Sequence, residues 1–460
     1  MSLTDRESQP VPARRHRTVG GGPALTAGTM LAVYLVLLVA IPSNLTIAAL
    51  GGFGRPSVLW GLLLLFWWLL TRLQMRAVDA VPVTQPLRIA LIALVVTVLV
   101  CFASLMLRGQ PADQISPAIT ALLRLASWSG VLLVAMDGIR THDDAARIVR
   151  ALAIAGGGVA ALGLAQFITG QSLLDWVSSI PGISVDGASV ATRSAFTRAS
   201  ATAAHPLEYG TALVGLLPIA IGTAVARGYP ERRQTRPWIW WTIVGLIMAA
   251  ALLSVSRSAI LGLVVALVAS LPAIPQAYRW LIGVGGALVA AVVVVVVPGM
   301  LGTVVSLFAG ASDDPSTQSR SDAVARVPEF IATSPWIGQG FGTFLPRYYI
   351  FDNQWVLLTV EIGILGVLAF AAVVASAFGS ATWAARVSPF EDTKAMGRSL
   401  AASVLTIAVL FVFFDGLSFP ISGGLLFLIV GLTAAMRTIA AADIGIRASA
   451  ERLATFAESD

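Results

Sequence analysis

One arginine lies in the middle of an apolar run, in the stretch LLSVSRSAILGL from Leu252 to Leu263. A charged side chain at the centre of a bilayer costs roughly 2.5–3.5 kcal/mol, so such residues usually mark a functional site. Arg257 stands between serines, and its planar fork of N–H donors matches phosphate or carboxylate oxygens. The stretch therefore predicts an anion-binding residue. The alternative is an arginine whose aliphatic stem lets its charge reach the membrane surface.

The composition of the whole chain is that of a polytopic membrane protein. Its 460 residues are 57% hydrophobic and 12% charged, whereas a soluble chain carries about 25% charged residues. The 30 basic residues are dispersed among apolar segments, so no nucleic-acid partner is expected. Cys101 is the single cysteine, which excludes an intramolecular disulfide and a cysteine metal site.

Apolar windows of about 17–25 residues predict an all-α membrane protein with about twelve spans. The windows are 24–42, 57–73, 87–106, 117–137, 146–168, 206–226, 238–254, 258–273, 280–298, 354–376, 399–414 and 421–437. An even number of spans puts both termini on one side, and 21 of the 30 basic residues fall on that side. The positive-inside rule therefore predicts cytoplasmic termini. We expect a basic tail over 1–23, a single membrane domain over 24–437 and a second tail over 438–460.

The remaining nine basic residues are all arginines that lie outside the predicted cytoplasmic loops, eight on the outer side and Arg124 within the fourth span. They are Arg55, Arg108, Arg124, Arg193, Arg198, Arg257, Arg320, Arg326 and Arg347. Most cluster at two long outside loops, 169–205 and 299–353, and at the turn around Arg257. The second loop, between spans nine and ten, is expected to carry short helices. The distribution predicts a cationic pocket that faces the outside.

Three separated stretches resemble the O-antigen ligases and O-antigen polymerases. They are RASATAAHPLEYGTAL from Arg198, the Ser-Arg-Ser element around Arg257, and SPWIGQGFGTF followed by DNQWVLLTVEIGILGVLAF up to Phe370. The last pair is similar to the family's Pro-x-x-Gly-x-Gly-x-Gly loop, His-Asn pair and glutamate-containing span. Order and spacing agree over roughly 145–376.

The resemblance implies a bacterial glycosyltransferase of the cytoplasmic membrane whose active site faces the outside. Its donor is a glycan linked to undecaprenyl diphosphate, and its acceptor is a hydroxyl group of a growing polysaccharide, a lipid-core sugar or a protein. Membrane lipids are its other partners. The transfer is expected to invert the anomeric carbon and to need neither a metal nor another cofactor.

The same resemblance implies roles for individual residues. Arg257 and Arg320 are expected to stabilise the diphosphate leaving group together with Arg198, because fixed guanidinium groups suit developing phosphate charge. Asp352 stands where the family has histidine, and the role of general base passes to it. Further expected substrate-binding residues are His205, Arg326, Arg124, Arg347 and Asn353.

Each of these residues also has a structural interpretation that the sequence leaves open. Asp352 precedes a span and could cap its helix, and His205 precedes Pro206 at a helix start. The loop arginines could contact lipid headgroups, and Glu361 could pair with an arginine inside its span. Asp415 is the reserve candidate for the base. The adjacent Asp313 and Asp314 resemble turn residues more than a metal site.

The sequence leaves two other functions open besides glycan transfer. A transporter or flippase of lipid-linked glycans would carry charges along a path through both halves of the membrane, whereas eight of the nine arginines outside the predicted cytoplasmic loops are on the outer side. A peptidoglycan glycosyltransferase of the shape-and-division type is also multi-span, but the Ser-Arg-Ser and Gly-x-Gly-x-Gly elements of this chain favour the O-antigen ligases and polymerases.

Overall fold

The structure is a computed structural model, and it describes residues 26–74, 83–109, 111–185, 191–193, 196–229, 236–254, 256–276, 279–296, 322 and 325–457. Within these residues the fold is a helical bundle, as the hydropathy predicts. Each of the twelve predicted windows contains a helix.

The long helices follow the chain in order and end within a few residues of the predicted boundaries, except where α10, α11 and α12 extend into the adjoining loops. Their bounds are α1 Ala27–Val39, α2 Pro56–Gln74, α3 Pro86–Leu107, α4 Ala112–Gly138, α5 His142–Thr169, α6 Pro206–Val225, α7 Pro237–Leu253, α8 Arg257–Ser270, α9 Arg279–Val296, α10 Gln354–Val387, α11 Glu391–Leu410 and α12 Pro420–Ala457.

Eight of these helices are long and apolar enough to cross a membrane, judged over the described ranges. They are α2, α3, α4, α5, α6, α10, α11 and α12, whereas α1, α7, α8 and α9 are shorter apolar helices. Many apolar side chains of the outer helices face away from the bundle, for example Ile89, which is 68% exposed. The chain therefore has the apolar exterior of a membrane protein, and the number of twelve spans stays a prediction.

Short strands tie the predicted outside segments together. Strand β1 (Leu45–Ile47) pairs antiparallel with β2 (Ile183–Val185), and β3 (Ala191–Arg193) pairs with β4 (Phe196–Arg198). In the second predicted outside loop, 299–321 lies outside the described residues, 325–331 is helical and 332–353 is irregular.

Helix α6 is the most enclosed of the eight long apolar helices, with 94% of its apolar window buried. It packs against α5, α7, α8 and α11, so its small residues set how closely the neighbours approach. A Cβ atom on Gly210 would lie 3.0 Å from the Cβ atom of Ala259. The first turns of α6 and α8 therefore stand side by side at the same end of the bundle.

Helix α10 is broken near its start. Gly363 has φ 69° and ψ −175°, so the helical hydrogen-bond ladder is interrupted there. A break inside an apolar bundle leaves backbone groups that need other partners, since water is excluded. The glycine-rich loop, residues 334–344, supplies those partners.

The glycine-rich loop bonds to both sides of the break. The N–H groups of Gln339 and Gly340 donate to the carbonyls of Val360 and Glu361 (3.1 and 2.8 Å), which precede the break. After the break, the N–H group of Ile364 donates to the carbonyl of Pro335 at 3.0 Å. Loop and broken helix therefore form a single hydrogen-bonded unit.

The glycines of this unit are required by space and backbone conformation. Gly338, Gly340 and Gly342 all have positive φ angles, of 69°, 139° and 75°. A Cβ atom on Gly338 would collide with the backbone at Glu361, and one on Gly363 would collide with the backbone at Trp336. The Gly-x-Gly-x-Gly pattern is thus explained by close backbone packing.

Gly363→Ala is expected to destabilise the protein by about 2 kcal/mol or more, because alanine pays for the left-handed conformation and meets the loop backbone. Thermal unfolding in detergent micelles measures the effect. Gly379→Ala is the matched control in the same helix, since no atom lies within 4 Å of its added Cβ. Equal unfolding temperatures for the two variants would contradict this account of the break.

Candidate active site

A polar cavity of about 560 Å³ lies where α4, the glycine-rich loop, the start of α10 and the segment between α11 and α12 meet. That volume is within the usual range of small-molecule sites. Its charged lining residues are Arg55, Arg124, Glu361 and Asp415. They come from four separate parts of the chain, and only the fold brings them together.

Arg124 projects from α4 into this cavity. Its Nη1 donates to the carbonyls of Leu417 and Ser418, both at 3.1 Å, and its guanidinium lies 5.9 Å from the ring centre of Trp128. Arg55, just before α2, lies near enough to interact unfavourably with it. Two like charges beside one cavity repel each other, and an anion between them relieves that repulsion.

Asp415 lies in the segment between α11 and α12 and is half-buried. Burial and, to a smaller extent, the charge of Asp352 raise the pKa of its carboxyl to about 6, although a hydrogen bond with Ser418 opposes the shift. A carboxylate with a pKa in this range can accept a proton near neutral pH. The reserve candidate of the sequence analysis is therefore the one that lines the cavity.

Glu361 is buried at the back of the same cavity. Its side chain accepts hydrogen bonds from the backbone N–H groups of Gly342 and Phe344, and Arg124 acts on it through space. The predicted arginine pair is therefore only part of its environment, since the glycine-rich loop provides its direct partners. The buried carboxylate fixes the loop against α10.

Gln354 joins the first turn of α10 to the segment that carries Asp415. Its N–H group donates to the carbonyl of Phe411 at 2.7 Å, and its Oε1 accepts from the N–H group of Leu417 at 2.6 Å. Gln354 is buried, so both bonds are shielded from water. The position of Asp415 is thereby coupled to the start of α10.

His205 is the N-cap of α6, as its position before Pro206 allows. Its Nδ1 accepts a hydrogen bond from the N–H group of Leu207 at 3.2 Å. Its ring centre lies 5.9 Å from that of Phe419, which lines the polar cavity. His205 thus caps a helix and also stands behind one wall of the cavity.

Arg257 is the first residue of α8 and is half-buried. Because the starts of α6 and α8 stand side by side, it lies at the same end of the bundle as His205. The neighbouring serines Ser256 and Ser258 bond to each other at 2.9 Å. Arg257 does not line the polar cavity itself, within the residues that the structure describes.

Arg326 and Arg347 lie at the surface beside the aromatic cluster of the loop. Arg326 pairs with Glu329 at 3.5 Å and lies 5.3 Å from the ring centre of Tyr349. Arg347 pairs with Asp113 and donates to the Tyr348 hydroxyl at 2.9 Å, and this hydrogen bond lowers the pKa of Tyr348. Their substrate-binding roles stay predictions.

Asn353 is the N-cap of α10. Its side-chain oxygen accepts from the N–H groups of Trp355 (3.0 Å) and Val356 (3.2 Å), so the cap predicted for Asp352 belongs to the next residue. Asp352 has a φ angle of 45° and is half-buried beside the cavity. The role of base that the resemblance implies for Asp352 stays a prediction.

Several predicted residues cannot be placed in this geometry. Arg320, Asp313 and Asp314 lie outside the described residues, and of Arg198 only the backbone, in β4, is described. Among the described residues no group of three or more histidine, cysteine, aspartate or glutamate side chains could hold a metal ion.

Comparison with known families finds one match in this chain. Residues 241–371 match the family described as O-antigen ligase. This segment, called here the O-antigen ligase segment, is similar to that family. The resemblance seen in the sequence is thereby confirmed over α7, α8, the glycine-rich loop and the break of α10. No curated protein matches the chain.

The O-antigen ligase segment contains Arg257, Asp352, Asn353 and Glu361. Arg124 and several other residues that line the cavity lie outside this segment, in flanking helices and loops. The family match and the apolar helices together indicate a multi-pass membrane protein and fit an enzyme that transfers glycans. The cavity is thus built around the family segment and completed by the rest of the chain.

Arg55 is one of the nine arginines outside the predicted cytoplasmic loops, and the sequence indicates no role for it. Its signal was its charge on the outer side, and nothing local connects it to Arg124. Arg108, another of the nine, has a structural role. Its Nη2 donates to Ser334 at 3.0 Å and its Nη1 to the carbonyl of Gly338 at 3.4 Å, which braces the glycine-rich loop.

The raised pKa of Asp415 predicts a pH dependence of stability. An unfolded aspartate has a pKa of about 3.9, so the folded carboxyl binds its proton more tightly. Its stabilising contribution is full below about pH 4 and is lost as the pH rises towards 6. Asp415→Asn, which stays neutral, should lose less stability over this window than the wild type. Thermal unfolding of both proteins at several pH values measures this difference, and parallel curves would contradict it.

Proposed function

We propose that the protein is an inverting glycosyltransferase that moves a glycan from undecaprenyl diphosphate to an acceptor hydroxyl on the outer face of the bacterial cytoplasmic membrane. The observation that carries the proposal is the polar cavity, in which two guanidinium groups and two carboxylates meet beside the glycine-rich loop of the O-antigen ligase segment. Such a transferase acts as a polysaccharide polymerase or as a ligase.

The arginines suit the leaving group of this reaction. When the bond between the anomeric carbon and the diphosphate oxygen breaks, its electron pair goes to that oxygen, and negative charge grows there. Arg55 and Arg124 are positioned on the cavity wall before substrate binds, so little reorganisation is needed to stabilise the charge. Arg257, from the adjoining start of α8, and the predicted Arg198 and Arg320 complete the proposed cationic set.

The carboxylates suit the other half of the reaction. The acceptor oxygen attacks the anomeric carbon from the face opposite the diphosphate, which inverts its configuration, and the hydroxyl proton passes to a base. Asp415 lines the cavity and has a pKa of about 6, while Asp352 lies beside it. We assign proton transfer to Asp415, whose pKa is raised mainly by burial and to a smaller extent by the charge of Asp352.

Asp415→Asn is expected to lower the transfer rate about 10²–10⁴-fold, the usual effect of removing a general base. Asp352→Asn should lower it less and should shift the acidic limb of the pH–rate profile downwards, because one source of the raised pKa is lost. The assay measures transfer from a lipid-linked glycan by purified enzyme between pH 5 and 8. The opposite order of effects would return the base to Asp352.

Arg124→Gln should reduce transfer about 10²-fold or more, as expected for removal of one donor that stabilises a developing charge. Arg257→Gln should also reduce it if the two residues share the diphosphate. Arg147→Gln is the control, because Arg147 pairs with Asp144 at the surface and lies away from the cavity. Wild-type transfer by Arg124→Gln would remove this residue from the site.

Deletion of the gene in the host tests the function as a whole. Surface glycans reduced to single repeat units would indicate a polymerase, and full-length chains that stay on their lipid would indicate a ligase. Unchanged surface glycans would contradict the proposal.

A further inference from the structure

A second cavity, called here the lateral groove, lies on the side of the bundle between α2, α3 and α4. It has a volume of about 490 Å³. Its walls are almost entirely apolar and include Leu65 of α2, Val95 and Leu99 of α3, and Leu122 and Ala126 of α4. Helix α4 packs closely against α2 and only slightly against α3, which leaves the space between α2 and α3 open.

The length of the groove corresponds to one leaflet of a bilayer. Its lining on α3 runs from Arg88 to Leu99, which is about 16 Å at 1.5 Å per residue. Half of the hydrocarbon core of a bilayer is about 15 Å thick. The groove therefore accommodates an extended acyl chain that starts at one membrane face and ends near the middle.

One end of the groove is charged. Arg88 lines the groove and bonds to Asp137 at 2.5 Å, and Arg72 pairs with the same carboxylate. Trp68, another lining residue, donates its indole N–H to Asp137 at 2.8 Å, and the guanidinium of Arg72 lies 5.4 Å from the Trp68 ring centre. The ionised side chains Arg72, Arg88 and Asp137, called here the mouth cluster, carry a formal net charge of +1.

The mouth cluster retains hydrogen-bonding capacity for an anion. Arg88 Nε is buried and makes no hydrogen bond within the described part of the chain. The side chains of Arg72 and Arg88 are 38% and 37% exposed, so both guanidinium groups can still be reached from the membrane face. Arg140 adds a further guanidinium, which donates to the backbone carbonyl of Asp137 at 2.9 Å.

We propose that the lateral groove is a binding site for one anionic phospholipid, with an acyl chain between α2 and α3 and its headgroup phosphate on Arg72 and Arg88. Basic residues at the end of an apolar groove between membrane helices suit such headgroups. On the predicted topology this end faces the cytoplasm, where anionic lipids are enriched.

The isoprenoid tail of a lipid-linked donor fits the groove less well. The diphosphate of such a donor would lie in the polar cavity, which adjoins the opposite end of the groove along α4. Its apolar tail would then run towards the mouth cluster and end against charged groups, at a cost in desolvation. A phospholipid fits in the matching orientation, with its charged headgroup at the mouth cluster and its acyl chain along the apolar walls of the groove.

Native mass spectrometry of the delipidated full chain in mild detergent tests the proposal. The probes are phosphatidylglycerol and phosphatidylcholine with identical acyl chains, and no glycan donor is present. The wild type should bind phosphatidylglycerol about tenfold more tightly than phosphatidylcholine, because the arginines donate charge-assisted hydrogen bonds to the lipid phosphate. In phosphatidylcholine the positive charge of the headgroup already compensates that phosphate, whereas in phosphatidylglycerol it stays uncompensated. Arg88→Gln should lose most of this preference, and Arg147→Gln, the same change of charge at a surface ion pair, should keep it.

Ala126→Trp, which fills the groove, should weaken the binding of both phospholipids, and unfolding temperatures in lipid-free detergent verify that the variants are folded. Equal binding of the two phospholipids by the wild type would overturn the proposal, as would a preference that survives in Arg88→Gln. Unchanged phospholipid binding by Ala126→Trp, with a raised KM for the lipid-linked donor, would assign the groove to the donor tail instead. The results on phospholipid binding do not depend on whether the proposed transfer reaction is correct.

Discussion

The break in α10 at Gly363 is the constraint on which the end of the molecule that holds the polar cavity depends. A helix interrupted inside an apolar bundle must find other partners for its backbone, because each unsatisfied group there costs several kcal/mol. The glycine-rich loop provides them and is itself braced by Arg108 and Glu361. One wall of the polar cavity is therefore built by hydrogen bonds that the break makes necessary.

The helical part of the fold was predictable because apolar windows of bilayer length occur in few other contexts. The helix at Pro206–Val225 begins at the predicted residue, since Pro206 fixes its first turn. The break at Gly363 was not predictable from hydropathy, because a scale that averages over many residues does not register one backbone angle. The glycine pattern by itself predicts only a tight turn, whereas the bonding of this loop to both sides of a helix break depends on the tertiary structure.

The site was only partly predictable, for a similar reason. The sequence located cationic side chains on one side of the membrane, and Arg124 indeed lines the cavity. The sequence favours Asp352 over Asp415 as the base because the resemblance covers Asp352, whereas the fact that Asp415 lines the cavity depends on packing between distant segments. Asn353 and His205 show the reverse case, in which a residue with potential chemistry also satisfies the first turn of a helix.

The length of α10 has a consequence for how this wall is assembled in a membrane. Its 34 residues would extend about 51 Å if straight, well beyond the roughly 30 Å of a hydrocarbon core. The part after the break, 364–387, is about 36 Å long and crosses the core by itself. The nine residues before the break are therefore not needed to anchor the helix in lipid. The glycine-rich loop and Gln354 set the orientation of these nine residues. This wall of the polar cavity is therefore positioned by protein contacts and is largely independent of bilayer thickness.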